Sequence, residues 1–234
     1  MKVMIFIDNS NFFKSVYSLG KDINQDRVID YHKLNKFVLN FLSKNPQYQD
    51  QKLLHVRTYY YDGEYTESII KKIKHHITSI PNNDFNKDKL KKLNEILDKS
   101  DKRMIAQKKE MDRMKNFYFF ETRLKPLQYF PNQGIFQKGV DVQLAVDLVS
   151  NAYLNNYDIA VLFSGDIDLL ESVKLIKSLG KHVIIFSHQS LMSQGMIMAC
   201  DFYKDICRLD ETQLNEFTHI FQQKENHNDL IKKE

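Results

Sequence analysis

The chain has 234 residues, 42% of them hydrophobic, and a formal net charge of +4. That length and composition suit one large domain with a proper core, and they exclude a disordered or low-complexity chain. The weak basic excess permits a nucleic-acid partner without requiring one.

Cys200 and Cys207 are the two cysteines; they form no CxxC pair and no zinc set, so both are expected as free thiols. The first apolar run stops at Asp8, too early for a signal peptide, and no segment reaches transmembrane length. A reduced, cytoplasmic protein without a membrane partner is the expectation. A homo-oligomer is compatible with it.

In chain order, Val3 to Ile7 is an apolar run expected as a strand covered on both faces. Asp8-Asn9-Ser10-Asn11 supplies N-cap residues for a helix over Phe12 to Leu19, with Gly20 as its stop. Asp22 to Asp30 reads as a loop, and Tyr31 to Leu42 as a helix ended by Asn45-Pro46. Leu53 to Tyr61 is the second strand, turned by Asp62-Gly63. Glu64 to Ile80 is helical and basic, Pro81 to Asp84 breaks it, and Lys87 to Lys115 is a highly charged helical stretch. This segment, about 64–116, is expected as an inserted helical hairpin.

Phe117 to Leu124 reads as the third strand and Lys125 to Gln137 as a loop. A helix from Val140 to about Leu154 precedes the strand Ile159 to Phe163. A helix from about Asp168 to Leu179 ends at Gly180, and His182 to Ser187 is another buried strand. A Met-rich segment, Leu191 to Ala199, leads to a final strand near Ile206-Cys207 and a last helix over Leu214 to Phe221. The tail from Gln222 is polar. Alternating strands and helices imply βαβ units and a mainly parallel sheet. The division is one domain over 1–209, then a C-terminal helix and tail over 210–234.

The chemistry lies in the acids. Asp166 and Asp168 follow an apolar strand at Ser164-Gly165, where open α/β sheets bind ligands. Asp8 ends the first strand. Asp141 shares the inward stripe of its helix with Leu144, Ala145 and Leu148, and so looks across the strand ends. Carboxylates converging there resist ionising together, and a divalent cation removes that conflict. All-oxygen ligands suit Mg²⁺ or Mn²⁺. Each acid alone is as readily an N-cap; the joint placement of the four favours a metal. Asp147 falls on another side of the helix and is expected at the rim or solvated. Asp201 is expected to pair with a cation. Met192, Met196 and Met198 are expected to pack, and His75-His76 to be solvated.

Ile5 to Phe12 (IFIDNSNF), Lys138 to Leu148 (KGVDVQLAVDL) and Phe163 to Leu170 (FSGDIDLL) resemble the NYN domain, the LabA-like branch of the PIN-like nuclease superfamily. Gly180 to Phe186 and Ala199 to Tyr203 resemble it too, so the likeness runs from Met1 to about Leu209. The resemblance implies a Rossmann-like three-layer α/β/α fold and a metal-dependent ribonuclease-type site. By position it implies Asp8, Asp141, Asp166 and Asp168 as catalytic metal ligands for Mg²⁺ or Mn²⁺. It also implies Asn11, Lys138 and Ser164 as substrate-binding or orienting residues.

The leading expectation is an endoribonuclease, with DNA open as a substrate. The alternative is a non-catalytic RNA-binding or regulatory module of the same fold, binding through the Lys-rich hairpin. A haloacid-dehalogenase-like phosphatase ranks low, because Ser10 stands where the second Asp of its pair belongs. No GxxxxGK[ST] or GxGxxG occurs, which argues against P-loop and dinucleotide enzymes.

Overall fold

The computed structural model describes residues 1–220. An uninterrupted apolar run is stable as a strand only where both faces of its sheet are covered. β1 (Lys2–Asp8) is such a strand: from Val3 to Asp8 every residue is buried. After it come α1 (Asn9–Asp22), β2 (Arg27–Ile29), α2 (Tyr31–Ser43) and β3 (Leu54–Glu64). α3 (Glu67–Ser79), α4 (Lys87–Met114) and β4 (Phe120–Pro126) follow. A small hairpin, β5 (Gln128–Phe130) and β6 (Gly134–Phe136), precedes α5 (Val140–Tyr153) and β7 (Ile159–Phe163). The chain continues through α6 (Leu170–Ser178), β8 (His182–Ser187), α7 (Gln194–Ala199), β9 (Phe202–Asp205), α8 (Glu211–Asn215) and β10 (Thr218–Ile220).

Six strands form one parallel sheet in the order β4-β3-β1-β7-β8-β9. Successive side chains of a strand face opposite ways. Val3, Ile5 and Ile7 therefore pack with Phe12, Val16, Leu34 and Phe37 of α1 and α2. Met4 and Phe6 pack with Leu144 and Leu148 of α5 and with Val173 and Ile176 of α6. The result is the expected three-layer α/β fold. Among the described residues, no helix is long and apolar enough to cross a membrane.

The connections fix where a ligand can sit. From β1 the chain adds β3 and then β4 on one side, and then returns to place β7, β8 and β9 on the other. The strand order thus reverses between β1 and β7, and the crevice outside their carboxyl ends is where open α/β sheets bind ligands.

Several local expectations are corrected. Gly20 does not stop α1, which runs to Asp22; Asn24, at φ 52°, takes the left-handed position after it. The loop expected over Asp22 to Asp30 contains β2, paired antiparallel with β10. The helix expected over Leu214 to Phe221 ends at Asn215 and gives way to β10, while the tail from Gln222 lies outside the described residues. Neither short strand carries a local pattern; each exists because the other is there to complete its hydrogen bonds.

Asp62 and Gly63 do not turn the chain but continue β3, pairing with Leu124 and Lys125 of β4. The loop over Lys125 to Gln137 holds the β5–β6 hairpin. The last parallel strand lies at Phe202–Asp205, and Ile206–Arg208 forms a 3₁₀ turn instead. Met192 and Met196 pack as expected, but Met198 is exposed. The helical hairpin of α3 and α4 is the crossover joining β3 to β4, and its own small core unites Ile69, Ile70, Ile73 and Tyr129 with Ile96, Leu97 and Met104.

Candidate active site

Asp8 ends β1 and caps α1 at the switch point. Its carboxylate is 1% exposed. One oxygen accepts from Ser10 Oγ (3.0 Å) and Asn11 N (3.2 Å), and the other from Ser164 Oγ (3.0 Å). Burial pushes its pKa up and the field of Asp166 adds to this, while the three donors oppose it.

Ser164, Gly165, Asp166 and Asp168 leave the end of β7 beside it. Ser164 is fully buried and also accepts from Asp166 N at 3.3 Å. Asp166 caps the turn by accepting from Asp168 N at 3.1 Å, and Asp168 is exposed. Gly165 is packed so closely that a Cβ there would stand 2.5 Å from the Leu191 carbonyl oxygen. The Asn11 side chain bonds no acid; its Oδ1 accepts from Gly165 N at 3.2 Å and ties α1 to this loop.

Asp141 arrives from α5, which starts at Gly139 with φ +80°, a conformation that favours glycine. It is half-buried, and Leu144 and Leu148 of its stripe are fully buried. Burial raises its pKa most, and the charges of Asp8, Asp166 and Asp168 all raise it further against a small opposing effect of Lys14. Asp141 therefore feels the other three acids across the switch point.

They stand close but do not converge to contact. No three of them bring an oxygen each within 4.8 Å of one another. Like carboxylates repel, and Mg²⁺ is usually held through only one or two carboxylates while keeping several waters, so a site for it need not close to that distance. The donors are all hard oxygens, and among the described residues none of the four acids lies within 4.0 Å of a cationic side chain. Uncompensated negative charge on buried and half-buried oxygens fits a hard divalent cation.

Lys138 is exposed and contacts none of these acids; it faces a cavity over the β5–β6 hairpin. Asp147, expected at the rim or solvated, is half-buried: it accepts from the Tyr61 hydroxyl at 3.0 Å and lies 3.9 Å from Arg123 Nε. Asp201 pairs with Lys177 at 2.9 Å, as expected. His75 is exposed, but the His76 ring bonds the Tyr129 hydroxyl.

The sequence reading missed Asp62. It sits at the same rim on β3 and accepts from Asn9 Nδ2 (2.8 Å), Tyr60 OH (3.1 Å) and Gly63 N (2.8 Å). Gln107 of α4 reaches the same place, donating to the Gly63 carbonyl at 2.7 Å. Asp-Gly is a turn signal, and only its position at a parallel strand's end could have suggested otherwise.

The group that does close to 4.8 Å is Asp22, His188 and Cys207. It is a hydrogen-bonded cluster: His188 Nδ1 accepts from Ser190 N, which leaves Nε2–H to donate to Asp22 Oδ2 at 2.8 Å. Burial, with Asp205 and Asp22, pushes the Cys207 thiol up to about 12.

Acids at the carboxyl ends of β1 and β7, on a six-strand parallel sheet between helical layers, define an α/β protein of the PIN-like type. A family model for the NYN domain matches residues 2–207, and the chain belongs to that family, within the PIN-like nuclease superfamily. Its members are typically nucleases and generally use divalent metals.

Among solved structures, a protein of unknown function from Vibrio parahaemolyticus is similar at a TM-score of 0.53 and 19% identity. The match covers 93% of this chain and 96% of that one, and it supports the fold alone. No curated protein matches.

Proposed function

We propose that the chain is a metal-dependent endoribonuclease that hydrolyses RNA phosphodiester bonds, with Asp8, Asp141, Asp166 and Asp168 holding Mg²⁺ or Mn²⁺. The observation that carries it is Asp141, whose carboxyl is opposed by all three other acids at the sheet's switch point. Family membership supports the same reading. When bound, the cation supplies an activated water and neutralises charge developing on phosphorus.

The chain's own residues set the geometry. Ser10, Ser164 and the Asn11 amide hold Asp8 as an acceptor in one orientation. Asn11 fixes the Gly165 amide, and with it the loop that carries Asp166 and Asp168. Lys138, one residue before the cap of α5, contacts the substrate backbone. The two free thiols support a reducing compartment such as the cytoplasm.

The test is cleavage of labelled single-stranded RNA and DNA with Mg²⁺ or Mn²⁺. Asp166→Asn and Asp168→Asn are expected to abolish cleavage while the circular dichroism spectrum stays unchanged. Full activity in either variant, or in excess EDTA, defeats the reading.

A further inference from the structure

Two adjoining cavities run along the face of α3 and over the β5–β6 hairpin, with volumes of about 870 and 500 Å³. They share Ser68, Lys72, Tyr129 and Phe130, so they form one continuous groove. Lys71 and His75 line one end, Lys125 and Lys138 the other, and the single acid in the lining is Glu67. Among the described residues, none of these four lysines has a carboxylate within 4.0 Å.

Unpaired cations facing a common groove repel one another, and a polyanion relieves that repulsion. Phe130 is 49% exposed at the groove and stacks on Phe136, with centroids 5.4 Å apart at 18°. Tyr129, one residue earlier, is buried and held by the His76 ring. An exposed aromatic face braced from behind is a platform for an unstacked base. A duplex keeps its bases stacked inside and offers no such partner. The α3 face is about 20 Å long, room for a short strand. The groove ends at Lys138, the residue before Gly139, which caps the helix that carries Asp141.

We propose that this groove binds single-stranded RNA and delivers it to the acidic site, with Lys71, Lys72, Lys125 and Lys138 along the phosphates and Phe130 under a base. The inference rests on the nuclease reading for the identity of its ligand. It assigns α3 and the hairpin as the binding face. The long charged helix α4 becomes their buttress, since its apolar stripe packs against Ile69, Ile70, Ile73 and Tyr129.

The test is equilibrium binding of a fluorescein-labelled 12-nucleotide RNA in EDTA, where binding is read without cleavage. The full chain is compared with Lys71→Ala/Lys72→Ala, with Phe130→Ala, and with a control pair of equal charge, Lys91→Ala/Lys102→Ala. Both control lysines are exposed and lie opposite the stripe of α4 that packs on α3. The groove pair is expected to weaken binding at least tenfold and to lower the slope of log Kd against log salt by about 1.4, roughly 0.7 per lost phosphate contact. Phe130→Ala is expected to cost about fivefold or more. The control pair is expected to bind as the parent does.

Equal losses from the groove and control pairs, unaltered binding by both groove variants, or tighter binding of a hairpin duplex or of single-stranded DNA would each overturn the assignment. Groove-dependent binding with no cleavage under any divalent ion would instead sink the nuclease reading and leave the groove standing. Cleavage that ignores both groove variants would sink the groove and leave the nuclease.

Discussion

Asp8 sits where an ionised carboxylate is disfavoured. Burial raises its pKa, and three donors only partly offset that. A fold selected for stability alone gains nothing from a buried acid facing other acids, and such arrangements concentrate at functional sites. The placement of Asp8, Asp141, Asp166 and Asp168 was legible because each follows a strand end or lies on an inward helix stripe. Asp62 was not, since the letters Asp-Gly describe a turn in any chain that lacks a neighbouring strand.

His55 gives a prediction at the same scale. Burial, with Arg57 nearby, lowers its pKa to about 4 from the usual 6.5, and its Nε2 bonds Thr58 Oγ1 at 2.9 Å. Between those values the unfolded chain binds a proton that the folded chain refuses, so the folded state loses stability as pH falls from about 6.5 to about 4. Melting temperatures measured across that range should fall less steeply for His55→Gln than for the parent. Identical pH profiles would show that His55 does not set the slope.

At the scale of elements, the site depends on the turn after β7. Gly165 lets that turn lie against the segment after β8, where a Cβ would stand 2.5 Å from Leu191 O and 2.9 Å from Met192 Cα. Gly165→Ala must displace backbone, not a flexible side-chain end, and should cost about 1–3 kcal/mol in denaturant unfolding. It should also lower activity more than stability implies, because Asp166 and Asp168 ride on the same turn. A variant as stable and as active as the parent would mean that the turn has slack.

The long apolar and amphipathic elements, β1, β7, β8, α2 and α5, could be read to within about two residues, because burial dictates their period. The short strands β2, β5, β6 and β10 could not. Three residues carry no period, and their pairing partners lie elsewhere in the chain.

Across the whole molecule, the segment after the parallel sheet is built into the core. Phe217 is fully buried and meets Phe37 at 4.5 Å and Phe12 at 6.2 Å between centroids. β10 then closes on β2, and Arg27 of β2 bonds Asn215 and Thr218. Phe217→Ala should therefore cost about 3–5 kcal/mol, read as a lower denaturation midpoint with an unchanged slope. A loss below about 1 kcal/mol would mean that this segment is peripheral.

The sequence alone determined that the protein is a layered α/β fold with a parallel sheet, because hydrophobic period and alternation of elements are properties of the chain itself. It also named the acids, because residue type and position along an element are local. Only the tertiary structure decided that the order of strands reverses between β1 and β7, that Asp141 faces the other three acids, and that α3 and the β5–β6 hairpin line one basic groove. Those are relations between segments far apart in the chain. They are fixed by which strands pair and which faces pack, and no local pattern encodes them.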